Sequence, residues 1–215
     1  MNIEKGLERG VLYIVATPIG NKYDMSSRAR EILIACNRVA AEDTRRAARL
    51  LAELGGNQHK LISLHEHNED KLVDYLVGEL VGGASVALVS DSGTPLLSDP
   101  GHLLVKTASS CGISVRPIPG PSSIIAALSV CPLPAHPFCF VGFLPKKKKE
   151  LHSQLQELIK KTEGVVFFES PRRIRRTLSL LSTLTDRKIF LIKEMTKTFE
   201  DSWSGSASEL LFQLD

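Results

Sequence analysis

The stretch VALVSDSGTPLLSDPG, residues 86–101, decides how this chain is read. Val86 to Val89 are apolar at every position, so the strand they predict is buried on both faces rather than one. It empties into a loop with two Asp, two Gly, two Pro, three Ser and a Thr. A strand buried on both faces belongs to a sheet covered by helices on two sides, and in such sheets ligands bind in the loops after the strands. The loop is then either turn chemistry or a wall of a binding site.

Outward from this stretch the same unit recurs. Apolar runs at 11–15, 39–41, 61–64 and 115–118 read as strands. Each is followed by residues of helical period, such as Ala29, Ile32, Leu33 and Cys36, or Ala47, Leu50, Leu51 and Leu54. Asp99, with Pro100 at the first helical position, is expected to cap the helix that runs to Gly112. Five strand–helix units predict a mostly parallel sheet over residues 1–131. CPLPAHP has three prolines and can continue neither helix nor strand, so residues 132–137 read as a linker. Beyond it, residues 138–215 resume the alternation, with strands at 138–141, 165–168 and 189–192. A last helix starts at Ser206, where SASE fits a capping box. The fold class is α/β with two domains.

At 215 residues, 43% hydrophobic and 24% charged, the composition is that of an ordinary globular protein. No apolar run reaches the roughly 18 residues of a membrane span, and MNIEKGLERG has charges where a signal peptide needs an apolar stretch. A cytoplasmic location is the resulting expectation. The four cysteines, Cys36, Cys111, Cys131 and Cys139, form no C-x-x-C pair and are expected to be reduced and mostly buried. Net charge is only +3, but the basic residues cluster at Arg45, Arg46 and Arg49, at Lys146 to Lys149, and at Arg172, Arg173, Arg175 and Arg176.

The unusual residues fall on one edge of the expected sheet. ATPIGN, EDTRR, HEHNE, SDSGTPLLSDPG and PGPSS follow the first five strands; GFLPKKKK, ESPRR and KEMTK follow those of the second half. The opposite edge has plain turns such as GG, CG and EG. No G-x-G-x-x-G follows the first strand, and neither a P-loop nor a G-x-S-x-G elbow occurs. His65 and His67 share a strand end but lack a third ligand, so no metal site is expected. What remains is a glycine-, proline- and hydroxyl-rich edge suited to close backbone approach to a flat polar ligand.

Eight ordered motifs carry a resemblance: LYIVATPIGN (12–21), AAEDTRR (40–46), LHEHNE (64–69), DSGTPLLSDPG (91–101), IPGPSS (118–123), GFLP (142–145), FFESP (167–171) and KEMTK (193–197). Their series is similar to the ribosomal RNA small subunit methyltransferase I family, of the tetrapyrrole methylase superfamily. The resemblance implies two αβα domains, a mostly parallel sheet in the first and a mixed sheet in the second, with the methyl donor S-adenosylmethionine in the cleft between them. It implies 2′-O-methylation of a cytidine ribose in the decoding region of 16S ribosomal RNA, a homodimer, and the RNA or the 30S subunit as partner. Donor contacts carried over by the resemblance are Pro18, Ser92, Gly93, Thr94, Leu97, Ser122, Ser123, Phe168 and Met195; Asp91, in the same loop, joins the expected donor set as an orienting acid. EDTRR, HEHNE and KEMTK are the motifs that mark this branch.

A ribose hydroxyl is a weak nucleophile that benefits from a nearby acceptor. Glu42, Asp43, His65, Asp91 and Glu194 are the candidates, and the Glu42–Asp43 pair is favoured because it opens a helix beside Arg45 and Arg46. Asp43 equally reads as a helix cap. Arg45, Arg46, His65, Lys146, Lys147, Arg172, Arg173, Lys193 and Lys197 are the expected RNA contacts. In this family a Leu-Glu-Asp run usually extends the first loop, which here is Lys22 to Ser26, and His usually follows ESP, where this chain has Arg172. Relatives usually continue past residue 215 with another strand and helices, so the second sheet is expected to be incomplete. Two other readings are a tetrapyrrole C-methyltransferase, weakly opposed by the six per cent aromatic content, and a non-catalytic RNA-binding relative.

Overall fold

The computed structural model describes residues 7–57 and 60–214. The charged residues 1–6 and the chain end at Asp215 lie outside them. The chain divides into two compact units, 1–122 and 123–215. This division precedes the proline-rich segment 132–137 and places the helix Ser123–Ser129 in the second unit.

In the first unit five strands form one sheet in the order β3-β2-β4-β1-β5, with every pairing parallel: β1 (Val11–Val15), β2 (Arg38–Ala41), β3 (Leu61–Ser63), β4 (Val86–Val89) and β5 (Ser114–Ile118). The helices between them are α1 (Ser27–Ala35), α2 (Thr44–Leu54), α3 (Glu69–Val81) and α4 (His102–Ser110). The period of two along each strand sorts the core into two layers. Val11, Tyr13, Val15, Ala87 and Val89 pack with Ile32, Leu33 and Leu51 of α1 and α2. Leu12, Val86 and Leu88 pack with Val73, Leu76, Leu80 and Leu104 of α3 and α4. Each such fully buried leucine contributes roughly 1.5–3 kcal/mol relative to an exposed one. β5 pairs only with β1, and an edge position tolerates Pro117, which has no N–H to donate.

The second unit contains α5 (Ser123–Ser129), β6 (Phe138–Phe143), α6 (Lys148–Leu158), β7 (Gly164–Phe168), α7 (Ile174–Leu184), β8 (Ile189–Lys193), β9 (Asp201–Gly205) and α8 (Ala207–Gln213). β6 and β7 pair in parallel, β8 and β9 antiparallel, so both pairing senses occur. Leu144, Leu151, Leu155, Leu178, Leu181 and Leu210 form its core. The expected capping box closes α8: Ser206 Oγ accepts the Glu209 N–H at 3.3 Å and Glu209 Oε2 accepts the Ser206 N–H at 2.6 Å.

All four cysteines are free, but only Cys36 is buried; Cys111 is exposed, which corrects the expectation of mostly buried thiols. No helix among the described residues is long and apolar enough to cross a membrane.

One buried cation holds a helix end in the first unit. Lys60 is 7% exposed. Its Nζ donates to the carbonyls of Ile34 at 2.8 Å and Cys36 at 3.2 Å, and also to that of Leu33. These are C-terminal carbonyls of α1 that no helical N–H can reach, and a cation there also meets the negative end of the helix dipole. Lys60→Met, which keeps the stem and removes the donors, is expected to cost about 2–4 kcal/mol in urea unfolding; a loss below about 0.5 kcal/mol would contradict this role.

Candidate functional site

In the first unit the loops after the strands are tied to one another through the loop after β4. Thr17, beyond β1, and Gly93, beyond β4, exchange two backbone hydrogen bonds: Thr17 N–H to Gly93 O at 2.9 Å and Gly93 N–H to Thr17 O at 3.1 Å. Thr17 Oγ1 donates to Ser90 O at 3.3 Å. On the other flank Thr94 Oγ1 donates to Pro121 O, beyond β5, at 3.0 Å. Gly93 has φ +86°, and a Cβ there would lie 3.3 Å from Ile19 Cγ2 and 3.7 Å from Pro121 O. Only glycine allows the backbone to run this close between the two neighbouring loops. Pro18, Thr94 and Ser122 are half-buried around it, and Ser92 and Leu97 are exposed. With Asp91, seven expected donor contacts thus lie on bonded, adjacent loops; Ser123 is the first residue of α5.

The loop after β2 joins the same frame. Asp43 caps α2, its Oδ1 accepting the Arg45 N–H at 2.9 Å, and Arg45 Nη2 adds a bond to Oδ2 at 2.8 Å. These bonds, the Arg45 side chain first, hold the Asp43 carboxyl at about 2. A carboxylate so strongly satisfied is a poor proton acceptor, so of the expected catalytic pair Asp43 is the cap. Glu42 is different. Desolvation, then the charges of Asp91 and Glu66, push its carboxyl above the usual range, with His65 and Arg46 opposing. Asp91 itself accepts the Asp43 N–H at 3.0 Å and lies 3.4 Å from Arg46 Nη1. His65 donates its backbone N–H to Asn68 Oδ1 at 2.8 Å, and its ring stands edge-on to His67 at 6.0 Å.

The expected cap at Asp99 is corrected. α4 begins at His102 with Gly101 before it, and the N–H groups of Leu103 and Leu104 donate to Glu69 Oε1 at 2.9 and 3.2 Å. The carboxylate that satisfies this helix end comes from α3. Gly101 sits at φ +114°, where a Cβ would meet Leu88 Cδ2 at 2.5 Å, and Leu96 and Ser98 also have left-handed φ. This tightly wound backbone leaves Asp99 outside the helix start and half-buried. Desolvation, then the charges of Glu42 and Asp91, push its carboxyl up to about 6. Sequence reasoning missed Asp99, Glu69 and Thr17 as site residues. A Thr between strand and Pro has no distinctive pattern, and Asp-Pro-Gly reads first as a helix start.

The second unit has its own ties between loops. The Phe168 ring meets Phe140 edge-on at 4.9 Å and lies 5.3 Å from Phe143. Behind them Glu169, whose side chain is 3% exposed, pairs with Arg173 Nε at 3.3 Å. Its oxygens also accept Thr177 Oγ1 at 2.7 Å and the Ser170 N–H at 2.8 Å. Arg173 Nη2 donates to the carbonyls of Leu144 and Pro145 at 2.9 and 2.6 Å. Arg173, expected to face RNA, instead fastens ESPRR to GFLP. Arg172, Lys146 and Lys147 are exposed, Lys147 pairing with Glu150 at 3.0 Å. In KEMTK, Lys193 Nζ stands 4.7 Å over the Trp203 ring and Lys197 pairs with Glu194 at 3.2 Å. Met195 is half-buried between Glu194 and Thr196, both at left-handed φ. Among the described residues no group of three His, Cys, Asp or Glu could hold a metal ion.

Residues 11–211 match the family described as Tetrapyrrole (Corrin/Porphyrin) Methylases. The chain is 45% identical over 95% of its length to a ribosomal RNA small subunit methyltransferase I of Xylella fastidiosa, covering 76% of that protein. It is 43% identical to the enzyme of that name from Escherichia coli O157:H7, over 94% of this chain and 71% of the relative. The one from Halalkalibacterium halodurans is 41% identical, over 94% and 70%. Among solved structures, a cobalt precorrin-4 methyltransferase superposes with a TM-score of 0.67 at 15% identity, covering 97% of this chain and 92% of that one. The uroporphyrin III C-methyltransferase of Thermus thermophilus gives 0.62 at 17% identity, over 94% and 91%. At such identities these structures share the fold alone.

The raised Asp99 carboxyl has a consequence for stability. With a folded value of about 6 against an ordinary 3.8, the folded protein holds this proton more tightly than the unfolded chain does. Stability therefore falls as pH rises from about 4 to 6. Asp99→Asn is expected to match the parent near pH 4 and to exceed it by on the order of 1–2 kcal/mol at pH 7.5 in urea unfolding. Parallel stability curves for the two proteins would contradict the assignment.

Proposed function

This chain belongs to the ribosomal RNA small subunit methyltransferase I family of the tetrapyrrole methylases, and we propose that it methylates the 2′-hydroxyl of a cytidine ribose in the decoding region of small-subunit ribosomal RNA, using S-adenosylmethionine. The observation that carries the substrate class is the identity of 41–45% over at least 94% of the chain to proteins of that name. The solved tetrapyrrole enzymes, at 15–17% identity, carry no comparable support for a macrocyclic substrate. A homodimer and a cytoplasmic location are part of the same proposal.

The first unit's edge fits the donor. Gly93 is a cradle that a Cβ would fill, between Ile19 and Pro121. The neighbouring Ser92 is an exposed residue, and Ser122 lies half-buried on the adjoining loop. We assign Pro18, Ser92, Gly93, Thr94, Leu97 and Ser122 to hold S-adenosylmethionine. When bound, it supplies an electrophilic methyl group on a sulfonium.

The chain's own residues orient the ribose and take its proton. Glu42 is the acceptor: its basicity is raised by desolvation and by Asp91 and Glu66, which improves proton transfer near neutral pH. Asp43 fixes the helix start beside it. Arg46, two-thirds exposed, and the exposed run Lys146 to Lys149 meet phosphates, which position the RNA without reading its sequence.

Three measurements test this reading. Small-subunit RNA from cells lacking the gene is expected to lose one 2′-O-methyl group and regain it with the wild-type gene; an unchanged methylation map would remove the proposal. Gly93→Val is expected to weaken donor binding at least tenfold by calorimetry while the protein stays folded, because the side chain enters the cradle. For the basic run, replacing Lys146 to Lys149 with Gln is expected to flatten the dependence of RNA affinity on salt. An unchanged slope would assign phosphate contact elsewhere.

A further inference from the structure

Asp91 has both carboxylate oxygens engaged, and neither partner is in its own loop. Oδ1 accepts the backbone N–H of Asp43 at 3.0 Å, and Oδ2 lies 3.4 Å from Nη1 of Arg46. Asp43 precedes α2 and Arg46 lies in its first turn. The side chain of Asp91 is 27% exposed and that of Arg46 66%. Ser92 and Gly93 follow immediately, and Gly93 is bonded to Thr17. One aspartate thus joins the wall assigned to the donor to the turn that carries Glu42 and Arg46.

The two arginines of this turn are held differently. Arg45 doubles back on Asp43 through Nε at 3.0 Å and Nη2 at 2.8 Å. Among the described residues the Arg46 side chain has a single tie, to Asp91. An ion pair this open to water contributes little to stability. What it does is limit where the guanidinium can go, leaving its other N–H donors for an anion such as a backbone phosphate. The amide bond to Asp43 likewise places the Glu42–Asp43 turn rather than adding to the core.

Resting on the functional reading above, we propose that Asp91 is a positioning residue for RNA: it sets Arg46 and the Glu42–Asp43 turn against the donor loop and is not itself a ligand of the methyl donor. This moves Asp91 from the expected donor set to the RNA side of the site. Asp91→Asn keeps an oxygen for the Asp43 N–H and removes the charge that holds Arg46. Arg46→Ala removes the group through which Asp91 acts.

The test measures two affinities in wild type, Asp91→Asn, Arg46→Ala and the double variant: S-adenosylmethionine by calorimetry, and a decoding-region fragment of small-subunit RNA by fluorescence anisotropy. Donor affinity is expected to stay within about twofold throughout. RNA affinity is expected to fall about five- to tenfold in each single variant, and the double variant to be no weaker than Arg46→Ala, because the two residues act as one unit. A merely structural role would lower both affinities together. Donor affinity reduced tenfold or more in Asp91→Asn, or additive losses for RNA, would overturn this inference and leave the functional reading standing. Wild-type protein that binds the donor and not the RNA would overturn both.

Discussion

Two backbone hydrogen bonds between Thr17 and Gly93 are the constraint on which the site edge depends. They require the loops after β1 and β4 to run side by side beyond the sheet, where backbone groups would otherwise face only water. Parallel β1–β4 pairing brings the strand ends together, with Val15 in register with Val89. A glycine at φ +86° lets the second loop turn back toward the first. Once that bridge exists, Thr94 reaches Pro121 and Asp91 reaches the start of α2. The turns of this loop hold the neighbouring loops in place, and the binding wall is the role proposed for it.

The second unit solves a related problem with charge instead of backbone pairing. Burying Glu169 is unfavourable unless each oxygen finds a donor. Ser170 donates to one and Thr177 to the other, and the Arg173 guanidinium adds its charge at 3.3 Å. Arg173 then extends to two carbonyls of the GFLP segment. Removing one member would leave a buried group without its partner, which costs more than the bond itself contributes. The left-handed residues Leu96, Ser98, Glu194 and Thr196 all fall in the two motif loops DSGTPLLSDPG and KEMTK. Such conformations cost on the order of 1 kcal/mol or more each. They are concentrated in the loops to which function is proposed.

The architecture was legible because both of its signals are local. Runs such as VALV and the i, i+3, i+4, i+7 spacing of Ala29, Ile32, Leu33 and Cys36 respond directly to burial, and the observed core is made of those residues. β9 was not legible: DSWSG has Trp203 alone as a large apolar residue, and its strand character comes from pairing with β8. The motifs located the loops after the strands, where the candidate site lies, since their glycines and prolines mark those loops. Individual roles within it were less legible, because a carboxylate's duty depends on which amide lies opposite in space. Asp99 stands where a cap should be, yet Glu69, thirty residues earlier, does the capping. Arg173 looks like Arg172 in the sequence, and what distinguishes it is the buried Glu169 and the Leu144 and Pro145 carbonyls it reaches.

The loops after β1, β4 and β5 form one bonded frame, and the proposal that this frame holds the methyl donor is open to amide hydrogen exchange with and without S-adenosylmethionine. Segments 16–21, 90–101 and 118–122 are expected to gain protection together on donor binding, with the Gly93 amide among the slowest. Protection confined to one of these loops, or no change in any of them at saturating donor, would contradict it.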